Sequence, residues 1–229
     1  MTSRTSPTLK LRAWGPLACF TRPELKVERV SYAVMTPSAA RGLLEAIMWK
    51  PAIAWRIERI QVLKEIKFTA FRRNEVNRKA LSPNIATIEN GGPAPLYFAD
   101  EDRAQRNTVA LSDVDYVIEA HFNLTERAGV EDNIVKFVEM FNRRVQKGQH
   151  FHQPYFGCRE FIAEVATAED PPLPIRDNRD LGIMLWDINF SKKGNTPIFF
   201  PAYLKNGVLE VPENPEAALA AKTATGGEA

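Results

Sequence analysis

The sequence predicts an α+β fold in which strands and helices alternate and the last third of the chain is rich in strands. Three observations lead to this prediction: short segments with alternating apolar residues, two amphipathic helical segments between them, and turn signals near the end. The order is strand, helix, strand, long loop, strand, helix and then further strands. A βαββαβ core of this kind is the ferredoxin-like arrangement, which RNA-recognition modules share.

The first half of the chain contains a strand followed by a helix. Residues 9–14 alternate apolar and polar side chains, which predicts a strand, and Gly15-Pro16 predicts a turn after it. Thr36 suits the cap of a helix, and Pro37 suits its first position. Apolar residues at helical spacing extend this helix to Met48.

An extended segment and a loop follow the first helix. Residues 54–68 return to period-two alternation and predict strand structure. Residues 72–107 are polar and rich in Asn, Pro and Gly, which predicts a long loop with a short strand at Leu96–Phe98.

The second half begins with the clearest strand, residues 114–124, whose apolar and polar side chains alternate. Residues 132–147 predict an amphipathic helix that buries Phe137 among other apolar residues. Further strands are predicted within 184–211, and Asn206-Gly207 makes a turn between two of them. We therefore expect an RRM-like domain over residues 1–165, a β-rich part over 166–211 and a disordered tail over 212–229.

The charge of the chain is unevenly distributed. Residues 1–79 hold sixteen Lys and Arg against six Asp and Glu, whereas the rest holds fourteen against twenty-two. A basic half suits a surface that binds a polyanion, although basic residues scattered around a fold would bind nothing in particular. Composition alone leaves these two interpretations open.

Several other classes of protein are not expected. Cys19 and Cys158 are the only cysteines, too few for a disulfide framework or a zinc site, and we interpret them as thiols of a reducing cytosol. No run of eighteen apolar residues occurs, and the polar start does not look like a secretory signal. We therefore expect a cytoplasmic protein that does not enter the membrane.

Several runs of residues resemble one protein family. The sequence reads FTRPELKVERVSY at 20–32, TPSAARG at 36–42 and WKPAI at 49–53, with RRNE at 72–75 and FHQPYFGCREF at 151–161. Together with the predicted strand at 116–122, these runs resemble the subtype I-C branch of the fifth CRISPR-associated protein family. Members of this branch are RAMP subunits of the Cascade complex, and the resemblance covers about residues 9–211.

The resemblance implies an RRM-like RAMP domain with a small antiparallel β-sheet appendage. It also implies an endoribonuclease of antiviral defence that cuts the repeat in precursor guide RNA without a metal and then stays on the 5′ handle of the mature guide. The implied partners are this RNA and the large and guide-backbone subunits of Cascade. No cofactor or metal is implied, so the acidic run at 100–102 is interpreted as a solvated loop.

Metal-free cutting of RNA uses the neighbouring 2′-hydroxyl as the nucleophile, and it needs proton transfer and stabilisation of charge on the phosphate. The family's usual set is a Tyr before the Trp-Lys-Pro motif and an adjacent Lys-His pair on the second helix. This sequence has Met48 at the first position and Lys136-Phe137 at the pair. Only the lysine remains, and the two replacements fit the apolar stripes of their helices.

Lys136 is therefore the first catalytic candidate, for contact with the phosphate, and an ordinary exposed helix lysine is the alternative. His121, on the polar face of the predicted strand 114–124, is the second candidate, because an imidazole can serve as a general base. His150 and His152 could supply the same function.

Basic residues of the matched half are the candidates for holding RNA, because arginine offers planar donors for phosphate and for stacking on unpaired bases. Tyr32 and Trp49 could also stack on a base, although core packing is favoured for Trp49. The RNA-binding candidates are Arg22, Lys26, Arg29, Arg41, Lys50, Arg72 and Arg73.

Two functions remain open within the family. The first is a nuclease that processes repeat RNA and caps the 5′ handle of the guide. The second is a non-catalytic scaffold that binds the same handle, which Met48 and Phe137 favour. A generic single-strand RNA-binding module outside the family is a third interpretation.

Overall fold

The computed structural model describes residues 4–25, 27–77, 88–92, 98–191 and 194–225. Lys26, Leu96 and Tyr97 lie outside these ranges. The helices are α1 Pro37–Ile47, α2 Ile134–Gln146 and α3 Pro215–Thr225. The strands are β1 Leu9–Ala18, β2 Arg29–Val30, β3 Ile53–Val62, β4 Lys67–Val76, β5 Arg103–Leu124, β6 Glu164–Thr167, β7 Arg179–Ser191, β8 Gly194–Lys205 and β9 Val208–Glu210.

Four strands form the core of the sheet in the order β6-β1-β5-β3, with antiparallel pairing throughout. Helix α1 lies between β1 and β3 in the chain, and α2 lies between β5 and β6. This order and connectivity are those of the ferredoxin-like fold. The sheet continues from β3 through β9 and β8 to β7. The ferredoxin-like core and the antiparallel appendage predicted from the sequence are both confirmed.

The first helix forms where the sequence predicts it, because its ends carry suitable residues. The Thr36 side chain accepts a hydrogen bond from the Ala39 N–H, and Pro37 occupies the first turn. Asn133 caps α2 in the same way, accepting from the Lys136 N–H at 2.9 Å. Both helices bury their apolar stripes against one face of the sheet.

Aromatic contacts identify that face. Phe122 of β5 lies 6.2 Å from Phe137 of α2, and Trp55 of β3 lies 5.0 Å from Phe141, each distance joining ring centroids. Since successive residues of a strand point to opposite faces, His121 lies on the face away from the helices. We call the two sides of the sheet the helical face and the far face.

Alternation predicts that polar side chains of the far face are exposed to solvent, but two of its carboxylates are buried. Asp115 accepts two hydrogen bonds from Arg12, at 2.7 and 3.1 Å, and is 3% exposed. Glu119 accepts from Gln61 Nε2 at 2.6 Å and pairs with Lys10. Buried carboxylates persist only when paired in this way, so these residues serve the fold.

The predicted turn at Gly15-Pro16 is wrong, because β1 runs through it to Ala18. Gly15 pairs with Val114, and the pairing resumes at Leu17 beyond the proline. A Cβ at Gly15 would lie 2.8 Å from the Ile162 carbonyl oxygen, so glycine here permits close packing inside a strand.

The predicted long loop is shorter than residues 72–107. Strand β4 extends to Val76 before the loop, and β5 begins at Arg103 after it. These two strands pair with each other in a long antiparallel ladder. The strand expected at Leu96–Phe98 lies largely outside the described residues.

The predicted boundary between residues 165 and 166 falls inside β6, which pairs with β1. The appendage therefore starts at β7.

The sequence predicts a disordered tail over 212–229, whereas the structure has a helix at Pro215–Thr225. Asn214 caps this helix by accepting from the Ala217 N–H at 3.0 Å. Lys222 reaches Asp180 of β7 at 3.2 Å. The alanines that suggested low complexity are strong helix formers, and this preference with an N-cap accounts for the difference.

Cys19 is buried, Cys158 is half-buried, and both are free thiols. Within the described ranges, no three or more His, Cys, Asp or Glu residues are grouped so that they could hold a metal ion. In the same ranges no helix has the length and apolar character needed to cross a membrane.

Candidate nucleic-acid interface

At the end of α1, Met48 is buried as its place on the apolar stripe predicts, whereas Trp49 is not. Met48 is fully buried, and its carbonyl oxygen accepts a hydrogen bond from Trp55 Nε1 at 3.1 Å. Trp49 is 53% exposed, so the expectation that it packs in the core is wrong. Met48 already has extended backbone angles, so the helical spacing that would turn Trp49 inward has ended. Of the two residues proposed to stack on a base, Tyr32 is the buried one. Its ring centroid lies 4.5 Å from the guanidinium carbon of Arg22.

The last carbonyl groups of α1 bind the segment that follows α2. The Ala46 oxygen accepts from the Phe151 N–H at 2.8 Å and from the His152 N–H at 3.0 Å. The Ile47 oxygen accepts from Arg144 Nη1 at 2.7 Å. Because helix ends leave carbonyls without intrahelical partners, these bonds can form here, and they hold Phe151, His152 and Arg144 of α2 beside the end of α1.

Three cations surround a cleft between the end of α1 and the start of α2. Lys50, Arg127 and Lys136 line it together with Asp132, and its volume is about 290 Å³. Lys136 Nζ lies 3.0 Å from Asp132 Oδ1, and its side chain is 44% exposed. The hydrogen bond from Lys136, followed by that from the Gly129 N–H, lowers the pKa of Asp132. We call this site the cationic cleft, and its excess of positive charge suits a phosphate group.

A second and larger cleft, of about 550 Å³, is lined by Trp49, which directly precedes Lys50 of the cationic cleft in the chain. Helix α1 contributes its floor, and residues 151–159 contribute the opposite wall. We call this site the aromatic cleft. Its lining residues are Gly42, Glu45, Ala46, Trp49, Phe151, His152, Gln153, Tyr155 and Arg159.

The two predicted catalytic residues do not meet. His121 Nδ1 lies 2.6 Å from Glu58 Oε1 on the far face, whereas Lys136 belongs to α2 on the helical face. Because the sheet lies between them, the two do not share one site in this fold, and a catalytic role for either stays a prediction. Among the three histidines, His152 lines the aromatic cleft and His150 is exposed nearby in sequence.

Most of the predicted RNA-binding residues have carboxylate partners. Arg41 makes two hydrogen bonds to Asp187 of β7, at 2.7 and 3.0 Å, and one to Glu45 at 2.7 Å. These bonds hold α1 to the appendage, and the carboxylates raise the pKa of the Arg41 guanidinium even though its burial opposes this. Of the six that lie in the described ranges, Lys50 is the one that lines the cationic cleft.

The other arginines of the set lie towards the β4–β5 ladder. Arg29 pairs with Glu75 at 3.1 Å and Glu160 at 3.4 Å, and Arg73 also pairs with Glu160. The Arg73 guanidinium additionally contacts the rings of Phe71 and Phe161. Arg22 pairs with Glu24, and Arg72 reaches Gln105 and Asn107. RNA binding by these residues stays a prediction, as it does for Lys26 outside the described ranges.

A family model described as CRISPR-associated protein (Cas_Cas5) matches residues 8–212. The chain belongs to this family. A relative from Mannheimia succiniciproducens named CRISPR pre-crRNA endoribonuclease Cas5d is 53% identical over 213 residues, which are 89% of this chain and 94% of the relative. A Thermus thermophilus relative of the same name is 41% identical over 223 residues, 89% of this chain and 91% of that protein. Since Cas5d is the subtype I-C member of the family, the family and the branch predicted from the sequence are confirmed.

Two solved structures are similar in fold. One, titled a CRISPR-associated protein, has a TM-score of 0.68 at 22% identity and covers 94% of this chain and 97% of its own. A functionally uncharacterized protein from Streptococcus mutans has a TM-score of 0.67 at 20% identity with the same coverage. At such identities these likenesses support the architecture alone.

Two positions set this family member apart from the usual catalytic set. Met48 is fully buried and Phe137 is 2% exposed, and both pack in the main core. The Phe137 ring lies at the base of the cationic cleft, but neither a phenyl ring nor a thioether can transfer a proton. Lys136, the third member of the set, does line the cationic cleft.

Proposed function

We propose that this chain cuts the repeat of precursor CRISPR RNA and then holds the 5′ handle of the guide within a subtype I-C Cascade complex in the cytoplasm. The observation that carries the proposal is the 53% identity, over nearly full length, to a protein named as a pre-crRNA endoribonuclease. The large and guide-backbone subunits are the proposed protein partners.

The proposed reaction is attack of a 2′-hydroxyl on the adjacent phosphorus. The new O2′–P bond forms as the P–O5′ bond breaks, leaving a 2′,3′-cyclic phosphate and a 5′-hydroxyl. The 2′-hydroxyl loses a proton and the leaving oxygen gains one, so the step consumes no metal and no co-reactant. Lys136, with Lys50 and Arg127, is proposed to stabilise the charge that develops on the phosphate oxygens.

A second function is a scaffold that binds the same RNA without cutting it. The complete burial of Met48 and near-complete burial of Phe137 favour this alternative, because neither can transfer a proton. General acid–base assistance is worth about 10²–10⁴-fold in rate, so a nuclease that works by geometry and cations alone would be slower.

Cutting in the absence of metal distinguishes the two functions. The purified chain is mixed at stoichiometric amounts with its own repeat RNA in excess EDTA, and the ends of any products are identified. The nuclease predicts one cut with a 5′-hydroxyl and a 2′,3′-cyclic phosphate. RNA that stays intact while remaining bound would establish the scaffold and contradict the nuclease.

A further inference from the structure

The aromatic cleft presents two large rings to solvent. Trp49 is 53% exposed and Phe151 is 63% exposed, although both flank a concave site of about 550 Å³. This volume lies in the range of about 300–1,000 Å³ that is usual for ligand sites. Exposed Trp side chains are favoured where a ligand covers them, because the ring buries a large apolar area on contact.

The backbone around these rings is held in place. The N–H groups of Phe151 and His152 both donate to the Ala46 oxygen, which ties the cleft wall to α1. The Phe151 and His152 rings are in edge contact, with centroids 4.4 Å apart. The cleft is therefore formed before any ligand arrives, which lowers the entropic cost of binding.

The charge of the cleft favours an anion. Arg159 and His152 line it, and Glu45 is its one carboxylate among the described residues. Glu45 accepts a hydrogen bond from Arg41 Nη1 at 2.7 Å, so its charge is compensated. Trp49 is followed in the chain by Lys50, which lines the cationic cleft, so further positive charge lies next to this site in the chain.

Aromatic faces next to cations are the features that bind unpaired nucleotides. A base stacks on the ring while the cations take the phosphate, and bases inside a duplex cannot do so because both of their faces are already stacked. An acidic peptide would use the cations alone and leave the two rings uncovered. The combination at this site therefore favours single-stranded RNA.

We propose that the aromatic cleft binds one unpaired nucleotide of RNA, with Trp49 stacking on the base and Arg159 and His152 contacting the phosphate. That this RNA is the CRISPR repeat rests on the proposed function above. The site adds a stacking contact beside the cationic cleft, so it selects single-stranded segments at that position.

The test measures affinity separately from cutting. Fluorescence anisotropy is recorded with labelled 2′-fluoro repeat RNA, which cannot be cut because it lacks the nucleophile. Trp49→Ala is expected to weaken binding of the single-stranded RNA about tenfold, since stacking contributes roughly that factor per base. Trp49→Phe retains a ring and is expected to recover most of the affinity.

Two controls make the result specific. Phe190→Ala removes an aromatic residue of similar exposure, 67%, from β7 in the appendage, and it should leave the affinity unchanged. A blunt RNA duplex should bind Trp49→Ala and the unmodified chain equally well. Equal affinities of the two proteins for single-stranded RNA would overturn the proposal, as would an equal loss for the duplex.

The outcome is independent of the nuclease test. If the chain cuts its repeat RNA but Trp49→Ala binds uncuttable RNA normally, the nucleotide site fails and the proposed function stands. If the chain cuts nothing while Trp49→Ala still loses affinity, the nucleotide site stands and the nuclease fails.

Discussion

Lys136→Ala is expected to slow cutting of repeat RNA by about 100-fold or more, with a much smaller change in RNA affinity. The reason is that charge on the phosphate oxygens grows in the transition state, where a cation held beside them has its largest effect. Lys136 stands in the cationic cleft with Lys50 and Arg127, and those two still bind RNA in the variant. Single-turnover cleavage and anisotropy measure the two effects.

Lys64→Ala is a matched control for this prediction. Lys64 is also 44% exposed and also pairs with an aspartate, Asp113, at 2.6 Å. Lys64 follows the C-terminal end of β3, and the N-terminal end of this ten-residue strand lies next to the cationic cleft. Lys64 and Lys136 are therefore about 30 Å apart. Cleavage that is unchanged in Lys136→Ala, or equally slow in Lys64→Ala, would remove Lys136 from the site.

Phe137→Ala is expected to lower the free energy of unfolding by about 3–5 kcal/mol, the usual cost of deleting a buried phenylalanine. Phe137 is 2% exposed and its ring contacts that of Phe122 on the helical face. The substitution therefore leaves a cavity between α2 and β5. Urea unfolding followed by circular dichroism measures the loss.

Val135→Ala on the same helix is the control, because Val135 is 64% exposed and alanine is the better helix former. Its free energy of unfolding should stay within about 0.5 kcal/mol of the unmodified chain. A loss below about 1 kcal/mol in Phe137→Ala would show that position 137 is not a core position. The account of why this chain lacks the usual histidine would then fail.

Local signals in the sequence predict the elements that carry the core. Thr36 and Pro37 start α1, Asn206-Gly207 turns β8 into β9 with positive φ at both residues, and the alternation around Phe122 identifies the helical face of β5. These features depend on neighbours in the chain, so periodicity and turn chemistry are sufficient to find them.

The site depends on contacts that the sequence does not display. Arg41 pairs with Asp187, 146 positions away, and a sequence pattern cannot show that this guanidinium is already engaged. His121 and Lys136 are only fifteen positions apart, yet strand alternation places them on opposite sides of the sheet. Trp49 is exposed because the backbone becomes extended at Met48, a local change of conformation that its apolar character does not predict. The motif around His152 is visible in the sequence, but its cleft exists only where α1 and residues 151–159 come together.

RNA is proposed to lie along the helical face, over the cationic and aromatic clefts. Repeat RNA containing 4-thiouridine can be photo-crosslinked to the chain, and the crosslinked peptides identified by mass spectrometry. Crosslinks are expected in peptides that contain Trp49, Lys136 or His152. Crosslinks confined to far-face peptides, those carrying Lys10, Arg12 and Arg59, would contradict this placement of the RNA.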